Sequence, residues 1–211
     1  MKAIIFDMDG VIIDSEPLHI ELEREILEDL GGSITVEEHS AFVGTTDDYM
    51  WSAFKEQFNI PTPIDEIIKI KRKKFDENIH RIKLIDGFWE FFQKLHSEGH
   101  PLALASSNNK NTVDLIVEKF DLKKYLKVIM TGTDVKEGKP SPEIFLKTAE
   151  KLGISPSDCI VIEDARNGVL AAKSAGMKCI GLKSPNSGNQ DLSKADLVVN
   201  SFQDLDLGIL I

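Results

Sequence analysis

The chain has 211 residues, 42% of them hydrophobic, and its 35 acidic side chains outnumber 25 basic ones to leave a formal net charge of −10. That length and apolar content suit one large domain, or one domain carrying an insert, and exclude a disordered chain. The acidity argues against nucleic acid and anionic membrane as partners, yet it leaves an anionic substrate open, because one metal ion can reverse the sign of a pocket.

The first element is the run Ala3-Ile4-Ile5-Phe6, short, apolar and rich in branched residues, which predicts a fully buried strand. It is too brief to be an export signal, and no run approaches the ~18 apolar residues that span a bilayer. From about Ser15 to Leu84 no strand-like run follows. Helices are expected instead over Glu16 to Leu30, ending at Gly31-Gly32, then around Val36 to Phe42, Asp47 to Phe58 and Pro63 to Asn78. Trp51 and Phe54 read as core of that block rather than as its substrate face, and the basic run Lys69 to Lys74 as a solvated helix face or else a cap patch attracting phosphorylated substrates.

Beyond it, buried strands recur at Leu102 to Ala105, Val128 to Met130, Ile160 to Ile162 and Cys179 to Leu182, with a weaker one at Leu197 to Val199. Helical patterns alternate with them: Phe88 to Leu95, Val113 to Phe120, Pro142 to Leu152 and Ala165 to Ala175. Alternation of this kind implies parallel strands joined by right-handed crossovers. The expected fold is α/β, a doubly wound, Rossmann-like parallel sheet, with residues 1–14 and 85–211 as the core and residues 15–84 as an inserted helical cap. Cys159 and Cys179 follow neither a CxxC nor a metal spacing and read as buried reduced thiols. A cytoplasmic monomer is expected.

In open parallel sheets, ligands bind beyond the carboxyl ends of the strands. The residues found there are Asp7, Met8, Asp9 and Gly10 after the first strand and Ser106, Ser107, Asn108 and Asn109 after the second. Gly138-Lys139-Pro140 comes after the third and Glu163-Asp164 at the fourth. Four carboxylates in one crevice repel one another until a cation or protonation intervenes. Oxygen donors without His or Cys favour a hard ion, Mg²⁺. Lys139 and the Ser106 hydroxyl suit a phosphoryl group, so the crevice points to metal-assisted phosphoryl transfer. Gly138-Lys139-Pro140 is not a P-loop, because Pro140 stands where a Ser or Thr must bind the metal.

Four segments resemble, in order, the signatures of the haloacid dehalogenase superfamily: Ile5-Phe6-Asp7-Met8-Asp9-Gly10, Ala105-Ser106-Ser107-Asn108, Gly138-Lys139-Pro140 and Ile162-Glu163-Asp164. The resemblance implies that Asp7 is the nucleophile and Asp9 the general acid/base. It implies that Ser106, Ser107, Asn108 and Lys139 bind phosphate, and that Asp7, Asp9, Glu163 and Asp164 hold Mg²⁺. Within the superfamily the chain is most similar to the β-phosphoglucomutase and sugar-phosphate phosphatase group. That likeness places His19 at the hinge of the cap and assigns Gly44, Thr45 and Lys73, or its neighbour Lys74, to the cap's substrate side, although His19 can equally be read as a surface or partly packed histidine. Asp47 stands where the mutase has an arginine for a second phosphate. The expected activity is a Mg²⁺-dependent phosphatase of small phosphorylated metabolites, with no nucleic acid and no membrane as partner. A mutase is the alternative, and a non-catalytic phospholigand-binding module a more distant one.

Overall fold

The computed structural model describes residues 2–43, 45–206 and 208. Gly44, assigned above to the cap, lies outside them. The chain divides into two compact units, Ser15–Ile82 and the remainder, Met1–Asp14 with Lys83–Ile211.

The Ser15–Ile82 unit is helical: α1 (Glu16–Asp29), α2 (Val36–Ser40), α3 (Asp47–Phe58) and α4 (Ile64–Asn78). Pro17 sits in the first turn of α1, where its missing N–H costs nothing, and the chain leaves that helix through Gly31 at φ +87°. Thr35 and Glu38 close a capping box on α2. The unit has its own core, built from Ile26, Leu27, Ile34, Met50, Trp51, Phe54, Ile60 and Ile67. The Trp51 and Phe54 rings meet edge to face at 5.6 Å. On α4 the buried face is Ile67, Lys71 and Phe75, successive i, i+4 positions. The basic run is therefore not wholly a solvated face: Lys71 points inward.

The larger unit begins with β1 (Ala3–Phe6) and the two-residue β2 (Ile13–Asp14), which pairs antiparallel with β3 (Lys83–Leu84). This pair corrects the strand-free reading that ran to Leu84; two residues are too few to show a period. The chain re-enters the larger unit at Lys83 rather than Ile85. There follow α5 (Phe88–Ser97), β4 (Leu102–Ala105), α6 (Lys110–Lys119), β5 (Leu126–Met130), α7 (Glu143–Leu152), β6 (Cys159–Glu163), α8 (Arg166–Ser174), β7 (Lys178–Leu182) and β8 (Leu197–Val199). Six of these strands form one parallel sheet in the order β5-β4-β1-β6-β7-β8, so β1 lies between β4 and β6.

Period-two alternation places alternate β1 residues on opposite faces. Ala3 and Ile5 pack with Ile144, Phe145 and Ala149 of α7 and with Val169, Ala171 and Ala172 of α8. Phe6, on the other face, meets Phe88 and Phe92 of α5 at 5.6 and 5.5 Å. Both faces of the sheet are thus covered, as a parallel sheet requires. Cys159 and Cys179 are free and buried, and burial pushes the Cys159 thiol up to about 11. Among the described residues no helix is long and apolar enough to cross a membrane.

Candidate active site

The β1 ladder continues one step past the strand, where the Asp7 amide donates to Ile162 O at 3.0 Å. The next residues close a tight loop: Met8 O accepts from the amides of Ile12 and Ile13 at 2.8 and 3.0 Å, and Gly10 turns the chain at φ +71°. A Cβ on Gly10 would stand 1.8 Å from Asp164 Oδ2, so only glycine lets the loop after β1 approach the end of β6. Asp7, Ser106, Glu163 and Asp164 are all buried at strand ends.

Lys139 ties these ends together. Its Nζ donates to Asp7 Oδ1, to Glu163 Oε1 at 2.8 Å and to Ala105 O at 3.2 Å, and lies 5.0 Å above the Phe145 ring. Three partners use all three ammonium protons. Glu163 Oε2 accepts from the Ala165 amide at 2.8 Å, at the start of α8. Asn108 donates from Nδ2 to Asp9 Oδ2 at 2.5 Å, and its amide donates to Ser106 Oγ at 3.1 Å. Asp164 Oδ2 accepts from the Ser187 hydroxyl. Ser107 is exposed and contributes its carbonyl to the packing against Gly132.

Charge in this cluster is unbalanced. Burial pushes the Asp7 carboxyl up to about 7 against the pull of Lys139, with Glu163 and Asp9 adding to the rise. Asp164 is held well above the ordinary carboxylate range by burial and then by Glu163, Asp7 and Asp9. Burial disfavours the Lys139 ammonium, but Asp7 and Glu163 outweigh it and keep it charged. Four carboxyl groups against one ammonium are a donor set that fits a hard divalent cation. As the side chains stand, no group of three converges ready-made around a metal position among the described residues. They face Lys139, Asn108 and Ser187 instead.

Glu163 is also hemmed in from α8. A Cβ on Gly168 would lie 1.6, 1.9 and 2.4 Å from three atoms of its carboxylate. Gly168→Ala is therefore expected to displace Glu163 from Lys139 and to cut turnover by about 10²-fold, the effect of an ångström-scale misplacement. Far-UV circular dichroism should stay native. A wild-type rate would show that the place of Glu163 does not matter.

Within the helical unit itself there is a polar cavity of about 140 Å³. Lys71 Nζ donates there to Glu23 Oε1 and, at 2.5 Å, to Asp47 Oδ1, while His39 Nε2 lies 2.6 Å from Glu23 Oε2. Burial disfavours the Lys71 ammonium, but Glu23 and Asp47 hold it charged. His19 lines the same cavity and stacks on Phe75 at 4.4 Å, so it is a packed histidine within this unit. Thr45 is on the wall, its hydroxyl bonded to Phe42 O at 2.7 Å. Lys73 is not: its side chain is 78% exposed and sits 3.9 Å from Glu77. Lys71 is the lysine that lines the cavity, and its i, i+4 spacing from Ile67 and to Phe75 was the available signal. Sequence reasoning also passed over His39, Glu23 and Ser187.

The family model described as haloacid dehalogenase-like hydrolase matches residues 4–182. The phosphorylated carbohydrates phosphatase of Thermotoga maritima is 35% identical over 85% of this chain and 84% of its own length. The β-phosphoglucomutase of Bacillus subtilis is 31% identical over 100% of this chain and 94% of its own. The crystal structure of CbbY from Rhodobacter sphaeroides in complex with phosphate superposes with a TM-score of 0.82 at 28% identity, covering 99% of this chain and 96% of that one.

Proposed function

This chain belongs to the haloacid dehalogenase-like hydrolases and is a phosphatase; on that premise we propose that it hydrolyses small phosphorylated metabolites, sugar phosphates above all, with Mg²⁺ and through a phosphorylated Asp7. The observation that carries this reading is the Lys139 ammonium held between Asp7 and Glu163, with Asp9 and Asp164 beside them.

Asp7 attacks phosphorus in line. A bond forms from its carboxylate oxygen to phosphorus as the bond to the leaving oxygen breaks, and Asp9 gives that oxygen a proton. Asp9 then takes a proton from water, which attacks the acyl phosphate, releases inorganic phosphate and restores Asp7. Asn108 orients the Asp9 carboxyl for both steps, Ser106 donates to the phosphoryl group, and Lys139 offsets its charge. Asp7, Asp9, Glu163 and Asp164 would hold Mg²⁺, which supplies Lewis-acid neutralisation of the phosphoryl oxygens.

A phosphatase is favoured over a mutase by the cap cavity. A mutase must grip a second phosphate, whereas here the cavity's lysine is already bonded to Glu23 and Asp47, which leaves that trio one negative charge in excess. The test is a panel of hexose, pentose and hexitol phosphates incubated with Mg²⁺, scored for both free phosphate and positional isomers. Phosphate release with no isomer is expected. Conversion of a hexose 1-phosphate to the 6-phosphate without phosphate loss would establish the mutase, and absence of Mg²⁺-dependent turnover would favour a binding module.

A further inference from the structure

The connection between β7 and β8 takes no part in the chemistry above, yet it is stitched to the site at three points. Asn186 Nδ2 donates to both carboxylate oxygens of Asp14, at 3.0 and 2.9 Å, where the loop after β1 ends. Ser187 donates from Oγ to Asp164 Oδ2. Gln190 Oε1 accepts the Arg166 amide at 3.1 Å, at the first turn of α8. Gly10 closes the same knot, since a Cβ there would meet Asp164 Oδ2 at 1.8 Å and Ser187 Oγ at 2.7 Å.

From this convergence we propose that Ser187 is a positioning residue for the metal site: it holds one oxygen of Asp164 and leaves the other to the cation. The proposal rests on the reading of Asp164 as a Mg²⁺ ligand. Bound at one oxygen, the carboxylate loses its free rotation, so less ordering remains to be done when the ion binds. Groups that hydrogen-bond to a metal ligand in this way commonly change affinity by about 10–100-fold when removed. A cavity of about 180 Å³ adjoins the contact, lined by Lys183, Ser184 and Gln190 among others. The Ser184 hydroxyl is buried there with no partner among the described residues. A water molecule has room to replace a lost Ser187 hydroxyl in part, which places the expected effect at the lower end of that range.

The test measures Mg²⁺ binding by calorimetric titration of the substrate-free protein, alongside the Mg²⁺ dependence of turnover. Ser187→Ala is expected to weaken Mg²⁺ binding about tenfold, and to raise the Mg²⁺ concentration for half-maximal turnover by the same factor. kcat at saturating Mg²⁺ and the melting temperature of the metal-free protein should be nearly unchanged. Ser187→Thr, which keeps the donor, should restore most of the affinity. Asp164→Asn separates the two layers of the argument. If it abolishes Mg²⁺ binding while Ser187→Ala binds like wild type, the positioning role is wrong and the metal site stands. If Asp164→Asn itself binds Mg²⁺ like wild type, the metal reading falls and the proposal with it.

Discussion

Asp7→Asn is expected to lower phosphate release from a generic aryl phosphate by about 10³-fold or more at saturating Mg²⁺, the scale on which removing a covalent nucleophile acts. The substitution preserves shape and still offers Lys139 an acceptor. What it removes is a carboxylate that burial pushes up to about 7, a group whose ionised form the fold solvates poorly. The metal-free variant should thus melt no lower than wild type even as catalysis collapses. Activity within tenfold of wild type would remove Asp7 from the nucleophile's role. Acid quenching during turnover, followed by mass spectrometry, should find a phosphoryl group on the peptide containing Asp7 in the wild type and none in the variant.

Lys139→Met should damage both activity and stability. Methionine keeps much of the length and the contact with Phe145 but leaves Asp7 and Glu163, both buried, facing each other without a cation. Breaking a buried pair by removing one partner costs about 3 kcal/mol or more. For a chain of this size that corresponds to a fall in Tm of roughly 6–12 °C. Loss of a preorganised charge at the phosphoryl group should lower kcat by about 10²–10³-fold. Mg²⁺ should return part of the lost Tm, because it supplies the positive charge the pair then lacks. An unchanged Tm together with an unchanged rate would show that Lys139 neither neutralises the cluster nor meets the phosphate.

The parts of this molecule that could be read from the chain are those in which residue type alone carries the physics. Apolar runs such as Ala3–Phe6 and Leu102–Ala105 have little choice but to be buried strands. In a parallel sheet whatever follows such strands gathers at one edge, which is why Asp7, Ser106, Lys139 and Glu163 could be grouped before any coordinates. Other features depend on distances that spacing does not carry. β2 and β3 are two residues each and exist only because the chain returns beside itself. Ser187 sits in Ser184-Pro185-Asn186-Ser187-Gly188, ordinary turn composition that advertises no partner 23 positions away. Gly168 looks like a mild helix weakness until the Glu163 carboxylate is found against it. Lys71 was hidden differently: neighbouring basic residues drew the whole run to the surface, although its spacing with Ile67 and Phe75 pointed inward.

The separate core of the helical unit has an evolutionary corollary. Trp51, Phe54, Ile67 and their neighbours give that unit a core of its own, so a substitution around its cavity draws first on that core. If that cavity selects the substrate, as the proposed function has it, substitutions that change selectivity and substitutions at the strand ends draw on different cores.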